Sequence, residues 1–142
     1  MLTGLNFYHL LTNKGTEHPE VVTTDMDEAF LDKATKVVID NIGNIDFSLK
    51  DLREKLGVSQ SVCYHKMKAL TGQNPSIFFR TVRLKYAADL LVKDGLSIKE
   101  VSYKSGFSSP AYFNKTFKEL FGQTPKEYLE QYLTKHETCK HS

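Results

Sequence analysis

Two groups of side chains in this chain have types and spacing suited to reading flat, hydrogen-bonding edges. Ser61, Tyr64 and His65 stand at i, i+3 and i+4, and Ala111, Asn114 and Lys115 repeat that spacing 50 residues later. On a helix such positions share one face. Small, amide, aromatic and cationic groups in the first two turns of a helix fit the DNA major groove. Asn114 can pair bidentately with adenine, Lys115 can donate to guanine, and Ala111 can make apolar contact with a thymine methyl. Helix N-termini, with Lys50, Lys66, Lys68, Arg83 and Lys118 nearby, are candidates for holding phosphates. Catalytic constellations are missing: there is no phosphate loop, no metal-ligand spacing, and no nucleophile with a base. Neither enzyme activity, a cofactor nor a metal site is expected. His136, Cys139 and His141 read as part of a polar tail.

The elements that must position these residues all carry helical signals. Ala29, Phe30, Ala34, Val37, Val38 and Ile42 recur at helical spacing behind Asp25, Asp27 and Glu28, acids that a helix N-terminus favours. Ser48 with Asp51 three residues on forms an approximate capping box for a helix ending at Gly57. Ser59 caps a third helix that reaches Gly72. Pro75 starts a long fourth helix that closes at Asp94 and Gly95. Ser97 begins a fifth helix ending near Gly106, Ser109 a sixth ending at Gly122, and Thr124 a seventh fading near Lys135. No segment alternates like a strand. The expected fold class is all-α, with seven helices.

An internal repeat organises them. Ser48, Leu49, Lys50, Asp51, Leu52 and Gly57 correspond to Ser97, Ile98, Lys99, Glu100, Val101 and Gly106 at an offset of 49. Lys68, Leu70, Gly72, Gln73 and Pro75 correspond to Lys118, Leu120, Gly122, Gln123 and Pro125 at an offset of 50, so one residue was gained between Gly106 and Ser109. Each copy has helix-turn-helix grammar: a short helix, a glycine, an apolar residue (Val58 or Phe107), then a serine capping the second helix. In those second helices Val62, Cys63, Met67 and Leu70, or Tyr112, Phe113, Phe117 and Leu120, are expected to face inward. Phe78, Phe79, Phe107, Tyr112, Phe113, Phe117, Phe121 and Tyr128 are expected to be core.

Charge agrees with a polyanion partner. Residues 1–47 carry three lysines against eight acids, a net of −5, whereas residues 48–142 carry sixteen Lys/Arg against nine acids, a net of +7. With 40% apolar and 25% charged residues, the 142-residue chain is too apolar for a disordered one. No run reaches the length of a membrane span. The two cysteines, Cys63 and Cys139, lie too far apart to suggest a disulfide framework, and the cytoplasm is the expected compartment.

The stretch Ser97 to Tyr128 resembles the signature of AraC/XylS-type regulators, most specifically in Gly106-Phe107, Tyr112-Phe113, Phe117-Lys118 and Gly122-x-Thr124-Pro125-x-x-Tyr128. The likeness extends back over Arg83-Leu84-Lys85, Ala87-Ala88, Leu90-Leu91 and Lys66 to Gly72, and covers about residues 28–133. It implies two helix-turn-helix subdomains, about 48–72 and 97–122, joined by a linker helix at about 75–93 within a domain of 25–135. It also implies base-reading positions at Ser61, Tyr64, His65, Pro110, Ala111, Asn114 and Lys115, meeting two successive major-groove segments of an operator. His65 stands where the family often has arginine. The first half is most similar to the C-terminal effector regions of hybrid two-component regulators of Bacteroidetes. That implies an upstream receiver or sensor region and RNA polymerase as a further partner, with residues 1–24 as a linker and 136–142 as a tail. The competing expectation is a helical protein-interaction module that keeps the fold without DNA binding; Lys66, Lys68, Lys115 and Lys118 on the outward faces speak against it.

Overall fold

The structure of the chain, a computed structural model, describes residues 25–93 and 95–140, with side chains as far as residue 135. Residues 1–24, expected to form a linker, and the last two residues of the expected tail lie outside the described residues. Among the described residues there are seven helices and no strand: α1 (Asp25–Asp40), α2 (Leu49–Leu56), α3 (Gln60–Thr71), α4 (Pro75–Lys93), α5 (Ile98–Lys104), α6 (Pro110–Phe121) and α7 (Pro125–Lys140). The last helix continues to Lys140 instead of fading near Lys135. None of the described helices is long and apolar enough to cross a membrane.

The described residues divide into two compact units, one of 25–41 with 46–82, the other of 42–45 with 83–93 and 95–140. In the first unit the buried side chains include Leu31, Ala34, Thr35 and Val38 of α1, Phe47, Leu52 and Leu56 around α2, Cys63 and Met67 of α3, and Phe78, Phe79, Thr81 and Val82 of α4. Phe47 meets Phe79 edge to face at 6.0 Å, an orientation the ring quadrupoles favour. Two expectations for α1 need correction. Its inward stripe runs through Leu31, Ala34, Thr35 and Val38, spaced at i, i+3, i+4 and i+7, which turns Ala29 outward. The helix also stops at Asp40, so Ile42, expected within its helical spacing, lies outside it. The Asn41 side-chain amide donates to the Val37 carbonyl at 2.8 Å and satisfies a terminal acceptor, and Ile42 passes to the second unit.

The second unit is built around Leu84, Ala87, Ala88 and Leu91 of α4, Val101 of α5, and Phe107, Phe113 and Phe117. Its aromatic rings form a continuous series: Phe107 to Phe113 at 5.2 Å, Phe113 to Phe117 at 5.6 Å, and Phe117 to Phe121 at 4.4 Å and to Tyr128 at 5.4 Å. Tyr112 is the exception to the expected core set, being 48% exposed.

Candidate nucleic-acid interface

Each half holds its outward helix in the same way. The turn after α2 closes with the Gly57 N–H donating to Glu54 O and the Val58 N–H to Arg53 O. After α5 the Gly106 N–H donates to Tyr103 O and the Phe107 N–H to Ser102 O, the same pair of bonds 49 residues on. This pattern satisfies the last carbonyls of the short helix and turns the chain sharply. Ser59 Oγ then accepts from the Val62 N–H at 3.1 Å, and Ser109 Oγ from the Tyr112 N–H at 3.2 Å, fixing the first turns of α3 and α6. Pro110 at the start of α6 has its φ already set for a helix and loses no hydrogen bond there.

Cys63 and Met67 root α3 in its unit, while Phe113, Thr116 and Phe117 root α6. The faces left outward carry Ser61, Tyr64, His65 and Lys68 on α3, and Ala111, Asn114, Lys115 and Lys118 on α6, all exposed. Pro110 is half-buried. Tyr64 and His65 meet edge to face at 5.5 Å, so the two rings stand as one ledge. Among the described residues, neither Asn114 nor Lys115 has a side-chain hydrogen bond or ion pair, which leaves their donors open to an incoming partner.

Val62 and Tyr112 depart from expectation: their apolar character predicts inward side chains, yet they are 43% and 48% exposed. The inward row of α3 runs from Cys63 to Met67, and that of α6 from Phe113 to Phe117. A residue one step before such a row is turned about 100° away from it. Both residues occupy the third helical position, whose N–H the capping serine holds, and their side chains extend the outward faces. Their matching place in the repeat was the signal available in the sequence.

The expected phosphate ligands separate into two groups. Lys50, Lys68 and Lys118 are exposed, with Lys50 only loosely paired to Glu54 at 4.0 Å. Lys66 instead lies over the Phe30 ring at 5.0 Å, a cation–π contact on the body of the first unit. Arg83 is half-buried and donates to the Asn44 carbonyl at 3.4 Å, with burial pulling its guanidinium below the ordinary arginine value. It holds the segment 42–45 within the second unit, a structural task that its sequence position did not reveal. The acids in the first turns of the short helices, Asp51 and Glu100, are occupied with capping. Asp51 accepts from the Ser48 N–H and Glu100 from the Ser97 N–H, both at 2.9 Å, and these bonds hold both carboxyls below their usual range. Asp89 pairs with Lys93 at 3.1 Å. No cluster of three or more His, Cys, Asp or Glu among the described residues could hold a metal.

The outward face of the first unit borders a cleft of about 640 Å³. Arg53 of α2, Ser61, Tyr64 and His65 of α3, and Asn74 and Ser76 at the start of α4 line it. Arg53 has no distinguishing signal in the sequence, since one cation among three on a short amphipathic helix, beside Lys50 and Lys55, reads as a solvated charge.

Comparison with known proteins agrees with this geometry. A family model described as a helix-turn-helix domain matches residues 52–131. A solved AraC-type DNA-binding-domain regulator from Chromobacterium violaceum superposes with a TM-score of 0.68 at 29% identity, covering 76% of this chain and 96% of that one. "Histidine kinase P4" of Formosa agariphila is 40% identical over 113 residues, which are 80% of this chain and 8% of the kinase. The transcriptional regulator AdiY of Escherichia coli K12 is 33% identical over 87 residues, 61% of this chain and 34% of AdiY. The chain thus spans only a minor part of the curated relatives it matches.

Proposed function

The chain belongs to the AraC-type helix-turn-helix family, and from that premise we propose that it binds double-stranded operator DNA as the output region of a transcription regulator. Its task is recognition without catalysis. The observation that carries this is the pair of capped helices, α3 and α6, each rooted by buried residues and each presenting an outward polar face. Ser61, Tyr64 and His65 read one major-groove segment, and Pro110, Ala111, Asn114 and Lys115 read a second. Val62 and Tyr112 add apolar surface that suits thymine methyls. Lys50, Lys68 and Lys118 meet phosphates. The match to a small part of a histidine kinase supports a two-component setting, with an upstream receiver or sensor region in the same polypeptide. Such an output works in the cytoplasm, where RNA polymerase is a further partner.

Titration of the 142-residue chain into fluorescent duplex DNA at several salt concentrations tests the reading. Binding through phosphates releases counterions, so log K should fall linearly with log salt, by about 0.9 for each phosphate neutralised. Salt-independent binding, or none to any sequence in a random duplex pool, would refute it and favour a protein-interaction module.

A further inference from the structure

We infer that Arg53 is the backbone-phosphate anchor of the first helix-turn-helix, seated in the cleft beside Tyr64 and His65, and that the second helix-turn-helix has no counterpart to it. This rests on the DNA-binding reading above and specifies how one half of the surface engages the duplex.

Three observations lead there. First, Arg53 is the only lysine or arginine among the residues lining the 640 Å³ cleft, and the others that line it include the candidate base readers. Second, among the described residues no carboxylate or carbonyl holds its guanidinium, so its five donors remain available. Its charge nevertheless reaches α3: burial pushes the Cys63 thiol up, and the positive charge of Arg53 pulls it the other way. Third, the residue 49 positions later is Ser102, fully buried, with its hydroxyl donating to the Lys99 carbonyl at 2.8 Å. The two halves share their turn bonds and caps, yet at this position one carries a half-buried cation at the edge of the cleft and the other a buried, satisfied hydroxyl.

The position selects phosphate over a base edge. In a helix-turn-helix the second helix enters the groove while the first crosses the backbone. Arg53 is on that first helix, α2, and opens onto the flank of the second. A guanidinium there matches the paired oxygens of a phosphodiester by its fork geometry.

The test uses the full 142-residue chain, a random-sequence duplex pool of about 30 bp, long enough for two groove segments one turn apart, and the sequence the wild-type chain enriches from that pool. Arg53→Ala, Arg53→Gln, Arg53→Lys and, as a base-reading control, Asn114→Ala are titrated by fluorescence anisotropy across a salt series, with circular dichroism melting to verify folding. Arg53→Ala and Arg53→Gln should weaken binding to the enriched and random duplexes alike, by about tenfold. Both should also flatten the salt slope by about 0.9. Arg53→Lys should keep the wild-type slope, because the charge remains, whereas Asn114→Ala should lose affinity only on the enriched sequence. An unchanged slope in the two neutral variants, alongside salt-dependent wild-type binding, overturns the Arg53 assignment alone. So does a loss confined to the enriched sequence, which would make Arg53 a base reader. Absence of salt-dependent binding by the wild-type chain overturns the DNA-binding reading itself.

Discussion

Replacing Gly106 with alanine should damage the second unit far more than the matching change at Gly57 damages the first. Both glycines close a short helix with the same pair of backbone bonds, and both have positive φ, 90° and 72°. A side chain in that region costs roughly 1–2 kcal/mol. At Gly57 an added Cβ meets nothing within 4 Å, so backbone strain is the whole penalty. Part of that is offset by about 0.4–1 kcal/mol, because alanine restricts the unfolded chain. At Gly106 the Cβ would lie 2.4 Å from the Ile42 carbonyl oxygen and 2.8 Å from Arg83 Nε. The carbonyl is backbone and cannot swing aside, so the segment 42–45 must shift, an overpacking cost of roughly 1–3 kcal/mol in addition. The same offset applies at Gly106, so Gly57→Ala should cost about 0–1.6 kcal/mol and Gly106→Ala about 1–4.6 kcal/mol, read by urea unfolding of the full chain. The two differ by the overpacking cost alone, and at about 4 °C per kcal/mol the melting midpoints should part by roughly 4–12 °C. The double variant Gly106→Ala/Arg83→Ala should recover little, because the clash with the Ile42 carbonyl remains. Equal losses at the two glycines, or full rescue by Arg83→Ala, would refute the reasoning.

On the enriched operator, Asn114→Ala should cost about 1–3 kcal/mol and relax preference at one or two base pairs; an equal loss on random DNA would show that Asn114 does not read bases. Cys63 is fully buried and its thiol pushed up by burial, so the protonated form is favoured in the folded chain. That contribution persists below the ordinary thiol value and disappears as pH rises through the raised one. Peptide-level alkylation at pH 8 should therefore find Cys63 protected until urea unfolds the chain, and native-state labelling at the rate of a free thiol would contradict the burial. The Glu100 carboxyl is lowered by the Ser97 backbone bond, so its stabilisation is present above its ordinary value of 4.5 and is lost as pH falls through the depressed one. The melting difference between wild type and Glu100→Gln should consequently shrink on acidification below about pH 4.5, and a difference constant down to pH 3 would dismiss the cap as its source.

What could be read in the sequence was local. Ser48 with Asp51, Ser97 with Glu100, and the serines before α3 and α6 announce their hydrogen bonds within three residues, and the repeat makes each signal count twice. Side chains whose partners are distant were not legible. Lys66 and Arg83 have the right type and place for phosphates, but each long side chain folds onto its own unit, over Phe30 and toward Asn44. Val62 and Tyr112 misled in the opposite sense: their apolar character suggested core, whereas the direction imposed by the Cys63–Met67 and Phe113–Phe117 rows turns them outward. The grouping of Ile42–Ile45 with the second unit has no local signal at all. It depends on the Arg83 bond to Asn44 and on the missing Cβ at Gly106, residues 39 or more positions away.

The same contrast explains why two halves of one repeat need not do equal work. The second half has the denser anchorage, with a run of touching aromatic rings from Phe107 to Tyr128 and a turn closed against Ile42 so tightly that only glycine fits. A helix so held presents Asn114 and Lys115 in a fixed attitude, which is what bidentate base contacts require, since their discrimination depends on geometry. The turn of the first half stands in open space at Gly57, and its proposed readers, the paired rings of Tyr64 and His65, lack the bidentate geometry open to Asn114. A phosphate anchor is the complementary device there. Such an anchor supplies affinity without sequence information, so on the proposed reading Arg53 would secure the half that discriminates less while Asn114 and Lys115 would select the site.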